Sequence, residues 1–516
     1  MIKVLSREQI KELDAVTIQK EGISSLELME RAANMCALHI MNLLSDRHKC
    51  VHFVCGKGNN GGDGLAVARI IRENYTKSDL KINIFIIETG AYQSADFISN
   101  YNTLENAEKI NITIITEENH EKFKDCIFSE RQDSILIDAI YGTGLNRAVT
   151  GLAAQVIETM NSSLIPIISI DMPSGLMTDE KTLPGERAVI RSSLTLTFQQ
   201  PKYSMMLSEN GRFCSDFITM DIGLDKEFIS YCSCSNFFIE KNDISSLLKK
   251  REKFSHKGNY GHALIIAGSL GKSGAAVLAA KACLNSGSGL LTVHCPACST
   301  QILQTAVPEA MVSEDSNPQH VSNLPDLSSY NAIGLGPGLG TNEDTGFILK
   351  QCIQNYSGKL VLDADGINLL AENKTLLAFL PPLTILTPHP KEFDRLTTKH
   401  DSDFDRIETA KTIALKHHLI IILKSAHTAI ITPNQNIFFN SSGNPGMAKG
   451  GSGDVLTGII TGLLARGYNP LDAATIGVYI HGLCGDLATE KCSEESLLAS
   501  NIIENIGKGF SLLEKI

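Results

Sequence analysis

GNPGMAKGGSGDVLTGIITGLLARG, residues 443–467, is the stretch on which the reading of the chain turns. Gly450, Gly451 and Gly453 free the backbone to turn, and Asp454 then opens an apolar-periodic run through Ile459, Ile460, Leu463 and Leu464 that predicts a helix. Amides at such a helix start, Ser452 among them, are unpaired within the helix and can hold negative charge developing on a transferred phosphoryl group. Asp454, on the same turn, is placed to take the proton of an acceptor hydroxyl. The segment is not a P-loop, because Lys449 precedes the glycines, whereas the Walker pattern places its lysine after them. A glycine turn with an N-capping aspartate is the plainer alternative, and it leaves a second glycine loop, GPGLG at 336–340, unexplained.

Upstream of this turn, short apolar runs alternate with helix-length segments. They fall at Ala263–Ala267, Leu290–His294, Ala332–Leu335, Leu360–Leu362, Thr384–Leu386, Leu419–Leu423 and Ile437–Phe439. The same alternation occupies the N-terminal half, at Val51–Cys55, Ile82–Ile87, Ile112–Ile115, Ile135–Ile137, Ile165–Ile170 and Leu194–Phe198, after a first helix announced by the capping-box pair Ser6 and Gln9. Alternation of this kind implies parallel sheets covered on both faces, with function at the carboxyl ends of the strands. Between Asp221 and Gly258 the pattern breaks into mixed polar sequence, so two α/β domains are expected, 1–228 and 245–516. A length of 516 residues suits two or three hydrophobic cores.

In the first domain, Val51–Cys55 runs into GKGNNGGDG at 56–64. Gly56, Gly58 and Gly61 satisfy a dinucleotide-type spacing, and Glu88 could stand as a ribose-binding acid, which keeps an NAD-dehydrogenase reading open. Against it, Asp63 lies where a diphosphate wants only donors. Two further strand ends lead into Asp138 with AIYGTG and into Asp171 with MPSG, so Asn60, Asp63, Asp138, Asp171 and Ser174 are expected at one sheet edge. Their oxygens suit a hard cation. As an alternative, each aspartate could simply cap the next helix.

A formal net charge of −11 with no long basic run argues against nucleic-acid binding. No secretory segment and no apolar run of membrane-spanning length are read in the sequence, so a cytoplasmic protein with no membrane partner is expected. Thirteen cysteines are scattered. The pairs Cys232/Cys234 and Cys295/Cys298 remain open to a metal or redox role or to plain packing.

Two resemblances carry the functional expectation. Residues 1–225, through GNNGGDG at 58–64, DAIYGTG at 138–144 and DMPSG at 171–175, resemble the epimerase domain of the bifunctional NAD(P)H-hydrate repair enzymes. Residues 250–516, through GPGLG, DADG at 363–366, TPHPKEFDRL at 387–396 and NPGMAKGGSGD at 444–454, resemble their dehydratase domain, a branch of the ribokinase-like superfamily. The resemblance implies an N-terminal Rossmann-like three-layer sandwich and a C-terminal ribokinase-like α/β sandwich. It implies that Asn59, Asn60, Gly61, Gly62 and Asp63, the loop Gly142, Thr143, Gly144, Leu145, Asn146, Arg147 and Ala148, and Asp171 bind the hydrate. Potassium would be held by Asn60, Asp138 and Ser174. In the second domain, Gly338, His389 and Asp454 would meet the hydrate. Lys424, Ser425, Ala426, His427, Thr428, Gly450, Gly451, Ser452 and Gly453 would meet the nucleotide. Asp171 and Asp454 are the expected catalytic residues.

The substrates implied are NADHX and NADPHX, with ADP favoured over ATP, magnesium accompanying the nucleotide, and a homo-oligomer. In the epimerase, the C6 hydroxyl beside the ring nitrogen departs as nitrogen donates electrons. Asp171 would protonate it and then act as base toward water returning on the opposite face. In the dehydratase, Asp454 would help the hydroxyl attack a terminal phosphoryl group, converting it into a phosphate that leaves easily. The competing classes are a kinase of vitamin precursors with a nucleotide-sensing domain, and a non-catalytic cofactor-binding scaffold.

Overall fold

A computed structural model of the chain describes residues 1–45, 47–75, 80–88, 90, 92–104, 110–181 and 188–514. The fold is α/β in two units, one comprising Lys3–Cys234 and the other Ser235–Ile516 together with Met1–Ile2.

In the first unit, seven strands form one all-parallel sheet in the order Ile110–Ile115, Lys81–Ile87, Cys50–Cys55, Ser134–Ala139, Ile167–Ile170, Leu194–Phe198 and Phe217–Met220. The chain builds outward from Cys50–Cys55 in one direction and then from Ser134–Ala139 in the other. The loops after these two strands therefore flank the crevice where strand order reverses, which is where an open parallel sheet places its ligand. Alternate residues of each strand enter two separate cores. Val51, Phe53 and Cys55 pack with helices Arg7–Glu21, Ser25–Leu43 and Asn59–Asn74, while Val54, Phe85 and Leu136 pack with His120–Ser129 and Gly151–Ser162. Ser6 and Gln9 form the expected capping box at the first helix.

The second unit holds an eleven-stranded sheet. From Ile420–Leu423 through Ile385–Leu386, Lys359–Leu362, Ala332–Leu335, His262–Ile266, Leu290–Pro296 and Met311–Asp315 all neighbours are parallel. Beyond Ile420–Leu423 the sheet turns antiparallel through Ala429–Ile431 and Ile437–Phe439. Ala429–Ile431 escapes a reading by apolar runs because it is three residues long, and only Lys424–Thr428 separates it from its partner. That connection can make a hairpin and is too short for a parallel crossover. Met311–Asp315 and Phe217–Met220 were likewise unread: both are edge strands with mixed, half-exposed residues.

The helix predicted after the glycine turn is Ser452–Ala465, buried from Val455 to Ala465. It lies on the central strands and against helix Ser273–Asn285. Gly458 and Gly462 set that contact, since a Cβ at either would fall 2.2 Å from the Ala279 carbonyl oxygen or 2.5 Å from that of Cys283.

Candidate active sites

In the first unit the crevice is lined by oxygen. Asp138 is not a helix cap; it lies within its strand, fully buried, and its carboxylate accepts hydrogen bonds from Ser169 Oγ at 2.8 Å, Ser174 N–H at 2.8 Å and Ser174 Oγ at 2.5 Å. Burial pushes its pKa up to about 6 even against these donors. Ser174 Oγ also receives the Tyr141 N–H at 2.8 Å, which ties the DMPSG turn to the AIYGTG turn.

Asp171 adopts a left-handed backbone, φ +65°, directly after its strand, a conformation costly for a residue with a Cβ and concentrated at functional sites. Its Oδ1 lies 2.9 Å from Lys202 Nζ, and its Oδ2 accepts the Thr143 N–H at 3.0 Å. Lys202 is 1% exposed and also donates to Thr197 Oγ1 at 2.7 Å and the Phe198 carbonyl at 2.9 Å. A lysine ammonium so deep in the protein must be paired, and Asp171 pairs it. Sequence reasoning missed Lys202. Its signal was position, four residues beyond the strand Leu194–Phe198 and just after a proline.

Asn60 and Asp63 lie in the first turns of Asn59–Asn74, both buried, with Gly61 and Gly62; Asn59 is exposed. Burial, reinforced by Asp171 and Asp14, holds the Asp63 carboxyl well above the usual carboxylate range, and burial raises Asp14 to about 6. Asp14, from the first helix, is the second residue that the sequence reading missed. Gly142 keeps the centre open, since a Cβ there would stand 2.9 Å from Asp171 Oδ2 and 3.2 Å from Asn60 Oδ1. The rest of that loop is nearer the surface. Leu145 offers its carbonyl to Arg7 at 3.4 Å, Ala148 is half-buried, and Gly144, Asn146 and Arg147 are exposed. Glu88 forms an ion pair with Lys57, so its carboxylate is engaged rather than free for a ribose.

A potassium ion fits the donor set at this centre. Asn60 Oδ1 and Nδ2 are buried without a hydrogen-bond partner, and Asp138 is a buried carboxylate whose neighbours are hydroxyls and amides. Oxygen-only donors beside an orphaned carbonyl suit a hard cation.

The second centre assembles at the carboxyl ends of the parallel strands. Asp363, after Lys359–Leu362, accepts from Lys424 Nζ at 2.9 Å and Thr457 Oγ1 at 2.7 Å. Gly453 sits over this pair, its hypothetical Cβ 3.3 Å from Lys424 Nζ and 3.7 Å from Asp363 Oδ2. Asp454 follows, and burial, with Asp363 adding to it and Lys424 opposing, raises its pKa to about 7. Burial works against the charge on Lys424, but Asp363 and Glu392 outweigh it and the pKa rises.

The turn itself is open. Lys449 and Gly450 are exposed, Gly451 has φ +94°, and Lys449 Nζ is drawn to the Glu495 carbonyl. Ser452 Oγ meets His481 Nε2 at 3.1 Å. Gly338, φ +58°, offers its carbonyl to Ser269 Oγ at 2.8 Å, and the Gly340 N–H donates to Asp365 Oδ2 at 2.7 Å.

His389 caps a helix and also keeps part of its side chain exposed. Its Nδ1 caps Pro390–Leu396 by accepting the Lys391 and Glu392 N–H groups at 3.1 and 3.2 Å, while 47% of the side chain stays exposed and Nε2 lies 3.4 Å from Glu392 Oε1. Capping requires an unprotonated Nδ1, and burial lowers the ring pKa. In the hairpin turn, Ser425 and Ala426 are exposed, Thr428 Oγ1 donates to the Ser425 carbonyl at 3.0 Å, and His427 Nδ1 lies 2.9 Å from the Asn440 carbonyl.

Asp363, Asp365 and Glu392 were within quoted motifs but without roles. The structure brings them around Lys424 and Asp454. Asp363 is engaged by Lys424 and Thr457, and Asp365 by Gly340 and by Lys272 at 3.2 Å. Magnesium would thus be held chiefly by nucleotide phosphates, with few protein carboxylates, as its octahedral chemistry allows. None of the thirteen cysteines is in a disulfide, and neither Cys232/Cys234 nor Cys295/Cys298 joins a metal-ligating cluster among the described residues.

A parallel α/β fold with an aspartate-tipped glycine turn on a helix start defines a phosphoryl-transfer class, here joined to a second, oxygen-lined centre. Residues 263–508 match the family described as NAD(P)H-hydrate dehydratase, and residues 25–204 match the YjeF-related protein N-terminus. The bifunctional NAD(P)H-hydrate repair enzyme Nnr of Moorella thermoacetica is 31% identical over 517 residues, covering 97% of this chain and 95% of the relative. That of Escherichia coli is 31% identical, covering 96% of this chain and 90% of the relative. The chain belongs to the family of bifunctional NAD(P)H-hydrate repair enzymes. Among solved structures, the ADP/ATP-dependent NAD(P)H-hydrate dehydratase of Bacillus subtilis, co-crystallized with ATP/Mg2+, is 30% identical and covers 54% of this chain and 99% of its own, at a TM-score of 0.46. Among the described residues, no helix is long and apolar enough to cross a membrane.

Proposed function

We propose that the first centre interconverts the R and S hydrates of NADH and NADPH, and that the second dehydrates the S hydrate with ADP as the favoured donor, releasing AMP and phosphate. The observation that carries the reading is Asp454: a carboxyl with a pKa of about 7, beside Lys424, at the start of a buried helix whose preceding glycine turn is open. A base of that strength is matched to neutral pH. It takes the proton of the hydrate hydroxyl as oxygen bonds to the terminal phosphorus of ADP. AMP leaves, the C6–O bond then breaks with phosphate as the leaving group, and loss of the C5 proton restores the dihydronicotinamide. Lys424 and the amides of Gly453 and Asp454 face the charge that develops on the phosphoryl oxygens. The His389 ring, whose Nδ1 caps the helix, sets Nε2 beside Glu392 on a half-exposed side chain, where it can orient a ligand.

In the first centre, water is released from C6 and recaptured on the opposite face. Asp171, oriented by Lys202 and the Thr143 N–H, takes the proton of the returning water. Asp63, whose carboxyl is raised well above the usual range by burial, gives the proton to the departing hydroxide, and the proton gained by Asp171 returns to Asp63 through water, restoring both groups. This divides between two carboxyls the roles first expected of Asp171 alone. Asn60, Asp138 and Ser174 would hold potassium, which when bound supplies positive charge to a crowded set of carboxylates.

The test is recovery of dihydronicotinamide absorbance when the purified chain receives hydrated NADH and ADP, with ATP in parallel. Recovery of both epimers supports the reading. A stable phosphorylated product without recovered absorbance would overturn it.

A further inference from the structure

On the side of the first sheet that packs with His120–Ser129, a polar group interrupts an otherwise apolar surface. Cys50 and His52 open the strand Cys50–Cys55 and, two residues apart, face the same way. His52 pairs in register with Asn83 and Asn83 with Asn111, so a polar row crosses three parallel strands, buried at His52 and Asn83 and exposed at Asn111. Glu130, just past His120–Ser129, closes the group from outside. None of these residues takes part in either centre described above. Asp138 pairs with Val54, so Cys50 lies four residues, about 13 Å, behind it along the sheet.

We propose that Cys50, His52 and Glu130 form a binding site for a thiophilic divalent cation of the zinc class. Their ligand atoms all lie within 4.8 Å of one another. Cys50 Sγ is 3.4 Å from Glu130 Oε2 and 3.8 Å from His52 Nδ1, and His52 Nε2 is 3.5 Å from Glu130 Oε2. Bond lengths of about 2.3 Å to sulfur and about 2.1 Å to nitrogen or oxygen place neighbouring ligands of a tetrahedral zinc about 3.4–3.6 Å apart; the Cys50–Glu130 edge already has that length, while Cys50 and Glu130 approach different ring nitrogens of His52, so the imidazole must turn to offer one of them to the ion.

A second observation points the same way. His52 is fully buried, yet its Nε2 has no hydrogen-bond partner and faces the Glu130 carboxylate. Buried polar atoms are normally satisfied. Asn83 Nδ2 lies 3.3 Å from each of Cys50 Sγ, His52 Nδ1 and Glu130 Oε2, three acceptors facing a group with two protons. Asn83 Oδ1 accepts from Asn111 Nδ2 at 3.1 Å, so turning the Asn83 amide by 180° to present its oxygen as a fourth ligand also requires the exposed Asn111 amide to turn. Glu130, with 33% of its side chain exposed, provides the way in. Sulfur and imidazole select zinc or cobalt over magnesium or potassium. On binding, the Cys50 S–H bond breaks, sulfur bonds the metal and one proton is released to solvent.

The test is titration of the full chain with Co2+, followed by competition with Zn2+. The expected result is one equivalent with a thiolate-to-cobalt absorption band, displaced by zinc with a gain in thermal stability. Cys50→Ser should abolish the band, and Cys298→Ser should leave it. Because Cys50 is buried, Glu130→Gln, at a partly exposed position, is the safer variant and should weaken Co2+ binding by about tenfold or more with the circular dichroism unchanged. A band that survives Cys50→Ser, an affinity indifferent to Glu130→Gln, or no band at all would overturn the assignment.

Discussion

The two centres solve opposite problems with the same residue type. In the first unit, Asp138 and Asp171 are enclosed and hydrogen-bonded on both oxygens, with a buried lysine as counter-charge. In the second, Asp454 sits next to an exposed glycine turn with Lys424 shared among Asp363, Glu392 and itself. A reaction that only removes and returns water gains from enclosure. A reaction that admits a polyphosphate needs an open mouth lined by amides, and its base must recover its charge at each turnover. The contrast lies in burial and partners, not in chemistry available to a carboxylate.

The sharpest way to break this contrast is Asp454→Asn. Dehydration should fall by about 10²–10⁴-fold while epimer exchange, followed separately by chromatography of the two hydrates, is unchanged. Since burial raises the Asp454 pKa from 3.8 to about 7, its ionised form is disfavoured by folding, and the cost builds as pH rises above the lower value and is fully present above about 7. The variant should therefore melt no lower than the parent at pH 8. A clear loss of thermal stability would place Asp454 in a structural role instead.

Lys202→Met tests the enclosed centre. It should lower epimerisation by about a hundredfold or more, on the scale of a lost acid–base group, and leave dehydration of the pure S hydrate intact. Loss of both activities would mean that the first unit had unfolded. A smaller effect is expected from pH, with dehydration falling about tenfold per unit as pH drops below about 7, because Asp454 must be a carboxylate to act as base. A flat profile from pH 8 to pH 5 would remove Asp454 as the base. Smallest of all, replacing potassium by lithium should slow epimerisation several-fold without altering dehydration, and Asn60→Ala should erase that sensitivity.

Much of the architecture was legible because parallel strands buried on both faces read as apolar runs. The runs at 82–87 and 332–335 are examples. The antiparallel strand Ala429–Ile431 was not, because it is three residues long in a hairpin, nor was the parallel strand Met311–Asp315, a half-exposed edge at the other end of the same sheet. At the sites, glycine turns and strand-end aspartates announced themselves by spacing. Lys202 and Asp14 did not, since a buried lysine and a helix aspartate look like surface charges until the fold brings them to Asp171. His52 was read simply as part of the apolar strand Val51–Cys55, and Cys50, just before it, had no role. Their significance depends on Glu130, eighty positions away in the sequence.

The seating of helix Ser452–Ala465 by Gly458 and Gly462 has an implication for turnover. A backbone pressed onto the carbonyls of its neighbour cannot slide or roll without collision. The entropy of fixing the donor cradle is thus spent during folding rather than each time a nucleotide arrives. Enlarging either glycine should then act far from any ligand, misaligning the amides at the helix start and slowing the reaction even where the nucleotide still docks.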